Sequence, residues 1–397
     1  MTDFLPYGRQ DITDEDVAAV ADALRRPLIT QGPLVDEFEA AFAEFVGARH
    51  AVAFANGTGA LHAAAAAAGL GPGDEMLTTP ISFVASSNCA LFVGAKPRFA
   101  DIDGLTGNLD VEAAVFSGGA RASRAGVAVS LAGLPVDLEP LRAARADGFI
   151  AIEDGCHALG GRRDGTPIGG GDAADMTTFS LHPVKAMTTG EGGMVTTQRD
   201  DLATVLREFR THGIRRPETD DGDVLRGPWH YDVATLGFNY RLTDFQCALG
   251  LEQLKRLPTF IAERNRVAAR YRELLRDVEG ITLPAEPRGD DVHAYHLFVV
   301  RFPEGAHRRR QVALGLREAG IGTQLHYIPI YRHTVYRDRG YTGLEEQMPE
   351  AERYYREALT LPMFPAMRDE DVDRVVHELR RLLAEPVASD ASETVGA

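Results

Sequence analysis

Apolar and polar positions follow two different rhythms along this chain. Residues 11–26 (DITDEDVAAVADALRR) and 35–47 (VDEFEAAFAEFVG) have apolar positions at spacings of three and four, which is typical of amphipathic helices. From His50 onward, short apolar runs alternate with helical stretches. The predicted strands are HAVAFAN, EMLTTP, KPRFADID, VAVSLAG, FIAIED, MTTFSLH and GMVTT, and the predicted helices between them are TGALHAAAAAAGL, SSNCALFVG and PLRAARADG. This alternation predicts an α/β fold in which helices cover both faces of a mainly parallel sheet.

The pattern changes again in the second half of the chain. It becomes helical after Arg207 and stays so through a charged stretch that ends at Asp277. YHLFVVRF, HRRRQVALGLREAG and IGTQLHY then predict strand, helix and strand, before two final helices. We therefore predict an N-terminal segment and large domain over residues 1–259, a small α+β domain over residues 260–384 and a disordered polar tail over residues 385–397.

Charge argues against a nucleic-acid-binding protein. The 397 residues are 25% charged and 44% hydrophobic, and the net charge is -16. Binding to nucleic acid needs a basic face, which this acidic chain does not supply overall. A local cluster such as Arg215 and Arg216 is still compatible with a single phosphate or nucleotide pocket.

Membrane and metal partners are not expected either. The longest apolar stretch is interrupted by glycine and proline at residues 69–73, and the first ten residues lack the basic start and apolar core of a signal peptide. The three cysteines, Cys89, Cys156 and Cys247, lack CxxC spacing. We therefore expect reduced thiols, no metal site and a cytoplasmic protein.

Two strand ends carry groups that suit a phosphorylated, ring-shaped cofactor. FANGTGAL turns from a strand into a helix, so amides near Gly57 and Thr58 would favour a phosphate, although a plain turn with a cap has the same pattern. FIAIEDGCHALG ends a strand with Asp154, at the edge where parallel sheets bind ligands. A helix cap for Asp154 and a packed role for His157 are the alternatives.

Lys185 is the third element of this group. A desolvated lysine is a nucleophile at neutral pH and can hold an aldehyde as a Schiff base, whereas most loop lysines are simply solvated. The following TTGEGG has few side chains and leaves room for a flat ring, and Ser180 offers a hydroxyl to a phosphate. Together these elements favour pyridoxal 5'-phosphate, with Asp154 keeping the ring nitrogen protonated and Lys185 moving the proton.

The sequence resembles the sugar aminotransferases of the DegT/DnrJ/EryC1/StrS group, which have the aspartate aminotransferase type I fold. The segments that carry the resemblance are LITQGPLVDEFEAAFAEFVGARHAVAFANGTGAL, TTPISFVASSN, IEDGCHALGG, FSLHPVKAMTTGEGGMVTT and GFNYRLTDFQCALGLEQL. The resemblance implies that Lys185 is the Schiff-base lysine and Asp154 the partner of the pyridine nitrogen. It also implies that Phe83 and His157 pack on the ring and that Gly57, Thr58 and Ser180 bind the phosphate. Asn239 would reach the phosphate held by the other subunit, which implies a homodimer with shared active sites.

Within this group, TTPISFVA, HPVKAMTTGEGG and LHYIPIYRH are most similar to the transaminase of the pseudaminic-acid pathway. That enzyme aminates C4 of a UDP-linked 4-keto-6-deoxy sugar. The resemblance implies substrate contacts from Tyr7, from residues 27–30, which include Thr30, and from residues 325–328. Our hypothesis is that L-glutamate is the amino donor. The residue chemistry of LHYIPIY agrees, because His326, Tyr327 and Tyr331 could bind a sugar or stack on a uracil, although a half-buried strand with aromatic packing has the same pattern. Arg241, Arg215 and Arg216 are candidates for binding substrate anions, although surface ion pairs are the commoner fate of arginine.

Two positions depart from the family pattern. Leu181 replaces a usual aromatic residue and Cys156 a usual small one, but neither change removes a group that the reaction needs.

Three alternative functions stay open. A transaminase of a dTDP-linked 3- or 4-keto sugar or of an aminocyclitol would have the same chemistry. A non-catalytic sugar-binding or regulatory homologue is disfavoured by intact Lys185 and Asp154. A nicotinamide oxidoreductase is disfavoured because no G-x-G-x-x-G follows the first strand.

Overall fold

The computed structural model of the protein describes residues 4–141, 148–216, 227 and 229–387. Its helices are α1 Asp14–Leu24, α2 Pro33–Val46, α3 Gly57–Ala67, α4 Ala85–Phe92, α5 Val111–Phe116, α6 Gly119–Ala122, α7 Asp200–Arg210, α8 Asp244–Leu275, α9 Ala306–Glu318, α10 Thr334–Arg337, α11 Pro349–Glu357 and α12 Asp369–Ala384. Its strands are β1 His50–Phe54, β2 Glu75–Thr78, β3 Lys96–Phe99, β4 Ala125–Val129, β5 Ile150–Asp154, β6 Arg162–Arg163, β7 Thr166–Pro167, β8 Met176–Ser180, β9 Gly193–Thr197, β10 Ile214–Arg215, β11 Asp232–Val233, β12 Phe298–Arg301 and β13 Ala358–Leu361.

The described residues form a seven-stranded central sheet in the order β1-β9-β8-β5-β4-β2-β3. β9 is antiparallel to both of its neighbours, and the other pairs are parallel. The strand–helix alternation in the sequence produces this topology, because parallel neighbours need a crossover that helices supply. The predicted α/β class and the mainly parallel sheet are confirmed.

Alternate residues of the strands enter two cores, one on each face of the sheet. In β1, Ala51 and Ala53 pack with Phe38 and Phe42 of α2 on one face. Val52 and Phe54 pack on the opposite face with the alanines of α3 and with α7. Because the side-chain period of a strand is two, a run that is apolar at every position is buried on both faces. This explains why these strands appear in the sequence as continuous apolar runs.

A third core lies around the second half of α8. Tyr271 and Leu275 pack there against Phe298 of β12, Val312 of α9 and Leu379 of α12. α8 is continuous from Asp244 to Leu275, so the predicted division between residues 259 and 260 falls inside one helix. The division into a large and a small domain remains a proposal. Of the predicted tail over residues 385–397, residues 388–397 lie outside the described part of the chain.

Two predicted elements, IGTQLHY and PLRAARADG, are not seen as predicted in the described residues. IGTQLHY was expected to be a strand, but it forms isolated bridges, from Ile321 to Leu5 and from Gln324 to Thr360, and β13 pairs with β12 instead. The residues after Gln324 lie near Lys185 and His157, with the Tyr327 hydroxyl 3.2 Å from Nε2 of His157. Most of the predicted helix PLRAARADG, residues 142–147, lies outside the described residues.

Candidate active site

The carboxyl ends of three parallel strands meet at one edge of the sheet. β1 leads through Asn56 into α3 at Gly57, β5 ends at Asp154 and β8 ends at Ser180. The antiparallel β9 starts at this same edge with Gly193, which pairs with both Phe54 and Ser180. We call Gly57, Asp154 and Ser180 the sheet edge. The loop between β8 and β9 carries Lys185.

A cradle for an anion is present at the start of α3. The Asn56 side chain accepts a hydrogen bond from the N–H of Gly59 at 2.8 Å, and the remaining first-turn N–H groups have no acceptor inside the helix. A Cβ atom at position 57 would lie 2.8 Å from Cβ and 3.2 Å from Oγ of Ser180, so only glycine fits beside this hydroxyl. Thr58 is exposed next to it. Helix N–H groups, the helix dipole and a serine hydroxyl together favour an anion at this position.

Asp154 is held by two donors at the end of β5. Its side chain is 4% exposed, Oδ2 accepts a hydrogen bond from Ser86 Oγ at 2.6 Å and Oδ1 accepts one from the N–H of Cys156 at 3.1 Å. Each carboxylate oxygen can accept two hydrogen bonds. One acceptor position on each oxygen therefore stays available to a ligand.

Lys185 lies in surroundings that favour its neutral amine. Burial lowers the pKa of Lys185 from its ordinary value, and the nearby carboxylate of Asp154 only partly opposes this effect. Among the described residues, Lys185 is in none of the ion pairs seen. Its backbone is fixed by an N–H that donates to the carbonyl of His182 at 2.9 Å and by a carbonyl that faces Nη2 of Arg264 at 3.5 Å.

His157 is a neutral imidazole with one defined tautomer. The N–H of Ala132 donates to Nδ1 at 3.2 Å, so the ring proton is on Nε2, which lies 3.2 Å from the Tyr327 hydroxyl. Burial, helped by the charge of Lys185, holds the pKa of His157 well below its ordinary value. His157 therefore donates to Tyr327, and the phenolic proton of Tyr327 is directed to another acceptor.

Three side chains from the two ends of the chain form a second boundary around Lys185. The ring of Tyr7 lies 5.7 Å from that of His326, and the ring of Tyr327 lies 6.1 Å from His157 and 6.5 Å from Phe83. Nδ1 of His326 is 2.7 Å from Oγ1 of Thr360, and burial followed by the charge of Lys185 lowers the pKa of His326 to about 3. We call Tyr7, His326 and Tyr327 the aromatic wall. It presents two phenols and a neutral imidazole beside the lysine.

Comparison with known proteins identifies the family of this site. The model of the DegT/DnrJ/EryC1/StrS aminotransferase family matches residues 10–380. The chain belongs to this family. As a DegT/DnrJ/EryC1/StrS protein it is a sugar aminotransferase that uses pyridoxal phosphate.

Three relatives show how far the similarity extends. Spore coat polysaccharide biosynthesis protein SpsC of Bacillus subtilis is 37% identical over 388 residues, which cover 96% of this chain and 97% of SpsC. The structure of Helicobacter pylori PseC, an aminotransferase involved in the biosynthesis of pseudoaminic acid, has a TM-score of 0.88 at 30% identity and covers 96% of this chain and 99% of PseC. The PLP-form of Spr1654 from Streptococcus pneumoniae has a TM-score of 0.86 at 26% identity, with 96% and 98% of the two chains covered. The fold predicted from the sequence is confirmed over nearly the whole chain.

The residues at the sheet edge fit the family's cofactor. Gly57 and Ser180 form an anion cradle from which any larger side chain at position 57 is excluded, as the phosphate requires. Asp154 keeps an acceptor position for a protonated ring nitrogen, and Lys185 offers a largely desolvated amine. These groups come from separate segments of the sequence, and the fold brings them to one place.

Not every residue proposed for substrate binding reaches this place. Tyr331 is 1% exposed, its hydroxyl donates to Glu352 at 2.8 Å and its ring packs on Phe99, so it belongs to the core and not to the pocket wall. The aromatic packing noted as the alternative for this segment describes Tyr331 better than a substrate role does, although Tyr331 is fully buried in a short 3-10 helix, residues 330–332, and not in a strand. Its burial depends on Glu352, which no local pattern around Tyr331 reveals.

Thr30, Asn239 and Arg241 are grouped together but have no contact with the aromatic wall among the described residues. Thr30 pairs with Thr243, two residues after Arg241, and Asn239 pairs with Thr211. Asn239 and Thr30 are exposed, and Arg241 is half-buried. These side chains therefore lie on a surface that a second molecule could approach. Arg215 is in a surface ion pair with Glu208 at 2.7 Å, the alternative considered for it above, and Arg216 is exposed.

Three residues around the site were not anticipated from the sequence. Ser86 contacts Asp154 from α4, and Arg264 is 1% exposed on α8 behind the backbone of Lys185. His296 lies 4.4 Å from the ring of His157, and its Nδ1 has no hydrogen-bond partner among the described residues. A sequence signal was available only for Ser86, which lies in TTPISFVASSN one helical turn after Phe83.

The described residues provide neither a membrane-spanning helix nor a cluster of metal ligands. No helix there combines the length and the apolar character needed to cross a membrane. No group of three or more histidine, cysteine, aspartate or glutamate side chains there has the arrangement of a metal site.

Proposed function

We propose that the protein transfers an amino group from L-glutamate to C4 of a nucleotide-linked keto-6-deoxy sugar, as in UDP-4-amino-4,6-dideoxy-N-acetyl-L-altrosamine transaminases. The observation that supports this most directly is the aromatic wall, which presents Tyr7, His326 and Tyr327 beside the Lys185 site. Hydroxyl and imidazole groups bind sugar oxygens, and aromatic faces stack on a base. The similarity to PseC, named for pseudoaminic acid biosynthesis, gives independent support.

We propose that Lys185 and Asp154 are the catalytic residues. Bound pyridoxal phosphate supplies an electron sink for the negative charge left when a substrate carbon loses its proton. The half-buried amine of Lys185, with its lowered pKa, would take that proton from the substrate carbon and return it at C4′ of the cofactor. Asp154 binds the ring N–H and keeps the nitrogen protonated. Lys185 also holds the cofactor covalently between turnovers.

The remaining cofactor contacts follow from the same placement. Gly57, Thr58 and Ser180 would bind the phosphate, because the helix terminus and hydroxyl meet there. Phe83 and His157 would pack on the ring. The ring of Phe83 is 57% exposed beside the site, which suits an aromatic group that a cofactor covers.

We propose that a homodimer completes each site through Asn239. Phe238 and Tyr240 stack on each other at 5.1 Å and pack against His62, so the intervening Asn239 faces away from its own subunit. The same segment exposes large apolar side chains, with Trp229 70% and Leu236 84% exposed. A second copy of the chain would cover this surface and would bring Asn239, Thr30 and Arg241 to its partner's pocket.

Subunit complementation tests the shared site. Lys185→Ala and Asn239→Asp should each abolish most activity, the second because a carboxylate repels the phosphate. In a refolded equal mixture, half of the dimers are mixed and each carries one intact site, so about a quarter of the wild-type activity should return. Mixed dimers that form but stay inactive would contradict the role of Asn239.

A panel of acceptors tests the substrate. Purified protein with L-glutamate should aminate UDP-linked 4-keto-6-deoxy sugars, and mass spectrometry with NMR of the product identifies the carbon. A preference for dTDP-linked 3-keto or 4-keto sugars, or for an aminocyclitol precursor, would replace the proposed acceptor. SpsC, named for spore coat polysaccharide biosynthesis, is 37% identical to this chain against 30% for PseC, which supports keeping acceptors outside the pseudaminic-acid pathway in the panel.

We also propose a cytoplasmic location. Its support is the state of the thiols: Cys89, Cys156 and Cys247 are all unpaired, as in proteins of reducing compartments. Fractionation with a tagged chain checks this proposal.

A further inference from the structure

Asp154 depends on a buried hydroxyl chain that starts in α4. Ser86 Oγ lies 2.6 Å from Oδ2 of Asp154 and 2.8 Å from Oγ of Ser82. Ser82, Ser86 and Asp154 are 4%, 1% and 4% exposed. Water is therefore largely excluded from these hydrogen bonds, so the hydroxyl protons of Ser82 and Ser86 have to find their acceptors within this group of side chains.

When Asp154 is ionised, only one direction of hydrogen-bond donation is possible among Ser82, Ser86 and Asp154. A carboxylate only accepts, and a hydroxyl has one proton to donate. The short contact and the charge make Asp154 the strongest acceptor near Ser86, so Ser86 donates to Oδ2 and Ser82 donates to Ser86. The Phe83 carbonyl, 3.2 Å from the same hydroxyl, is the weaker competing acceptor.

We propose that Ser86 is a positioning residue that aims the Asp154 carboxylate at the ring nitrogen of the cofactor. Without it, Asp154 Oδ1 keeps the Cys156 N–H, but Oδ2 has no donor among the described residues and the carboxylate is free to turn. This inference rests on the role proposed above for Asp154, and it does not depend on which sugar is the acceptor.

Ser87, the residue after Ser86, provides a matched control. Ser87 is in the same helix, is completely buried and also contacts a hydroxyl, that of Tyr336 at 2.8 Å. It has no contact with Asp154. A change of Ser87 to alanine therefore removes a buried serine hydroxyl from α4 without touching the carboxylate.

The experiment measures how tightly the cofactor-free protein binds two compounds. One is pyridoxal phosphate, and the other is its 1-deaza analogue, in which carbon replaces the ring nitrogen. In Ser86→Ala, affinity for pyridoxal phosphate should fall about tenfold, because a charge-assisted hydrogen bond that orders the ion pair is lost. Affinity for the analogue should not change, since it has no N–H for Asp154 to bind.

Controls separate positioning from damage to the fold. Ser87→Ala should bind both compounds like the wild type, and Ser86→Thr, which keeps the hydroxyl, should restore selectivity for pyridoxal phosphate over the analogue. Thermal unfolding of each variant shows whether it is folded. If Ser86→Ala loses affinity for both compounds equally, or for neither, the inference is overturned.

Asp154→Asn distinguishes this failure from failure of the proposed function. If Asp154→Asn loses affinity for pyridoxal phosphate selectively while Ser86→Ala does not, Asp154 keeps its role and only the inference about Ser86 is wrong. If Asp154→Asn shows no selectivity, the assignment of Asp154 itself is wrong and the inference goes with it.

Discussion

The sheet edge and the aromatic wall meet at Lys185, but they are built differently. Gly57, Asp154 and Ser180 lie at strand ends of one sheet, where Ser180 pairs with Gly193 of β9 and Asp154 accepts a short hydrogen bond from Ser86 of α4. The aromatic wall comes from two irregular segments, which an isolated bridge from Leu5 to Ile321 joins to each other and a second bridge, from Gln324 to Thr360, joins to β13. In the proposed function, the groups for the cofactor therefore lie on strand ends of the sheet, while the groups for the acceptor lie on irregular segments.

The largest expected effect is at the point where the two regions meet. Lys185→Ala removes both the covalent anchor and the proton carrier, so turnover should fall by at least about 10³-fold. The sequence has only two other lysines, Lys96 and Lys255. Borohydride reduction of the protein with pyridoxal phosphate, followed by peptide mass spectrometry, should fix the cofactor on Lys185 alone.

Lys255→Ala is the control for this prediction. Lys255 is an exposed member of an ion pair with Glu252 at 2.6 Å, so its loss should leave turnover and labelling unchanged. Cofactor found on Lys96 or Lys255 in the wild type, or a colourless protein after addition of pyridoxal phosphate, would remove the basis of the proposed chemistry.

Asp154→Asn should have the next largest effect, and the step that it slows should be proton transfer. An amide does not keep the ring nitrogen protonated, so we expect turnover to fall about 10² to 10³-fold while the protein still turns yellow with pyridoxal phosphate. Stopped-flow measurement with L-glutamate deuterated at Cα should show a larger isotope effect than in the wild type. A normal rate would contradict the assignment of Asp154.

The sheet edge was predictable from the sequence because its groups lie in local patterns. Asp154 ends an apolar run and Gly57 follows a strand-to-helix turn, so each could be placed at the sheet edge before any distance was known. The site roles of these residues remain proposals, since the comparisons establish the family and the cofactor. The order of the strands needed the structure.

The aromatic wall was less predictable because burial there depends on distant partners. Tyr331 and Tyr327 occur in one short segment, yet Tyr331 is buried against Glu352 while Tyr327 contacts His157. The hydrogen bond from Ser86 to Asp154 spans 68 positions of the sequence. Nor did the sequence show that β13 would displace IGTQLHY as the partner of β12.

Two tyrosines of this segment give a matched test of moderate size. Tyr327→Phe leaves the His157 Nε2–H without its acceptor and removes a donor from the pocket, so the second half-reaction, with the ketosugar, should slow about tenfold. The half-reaction with L-glutamate should change by less than about threefold, since Asp154 and Lys185 are untouched. Single-turnover measurements of the two halves separate these effects.

Tyr331→Phe should show the opposite behaviour. It removes a buried hydrogen bond to Glu352, so the free energy of unfolding should drop by about 1 kcal/mol while the ketosugar KM stays the same. If Tyr331→Phe raised that KM and Tyr327→Phe did not, the boundary drawn here between wall and core would be wrong.

The smallest expected effect concerns the stability of the aromatic wall in acid. The pKa of His326 is about 3 in the folded protein against an ordinary value of 6.5, so the unfolded chain binds more protons between these values. Stability from this group is therefore present above pH 6.5 and is lost as the pH falls below it. Between pH 7.5 and pH 5.8, the free energy of unfolding should fall by about 1 kcal/mol through His326.

Urea unfolding of His326→Gln should show a correspondingly smaller pH dependence, whereas His377→Gln, at an exposed position, should match the wild type. An unchanged pH dependence in His326→Gln would mean that the imidazole is not desolvated, and the wall would then be as accessible to water as a surface loop.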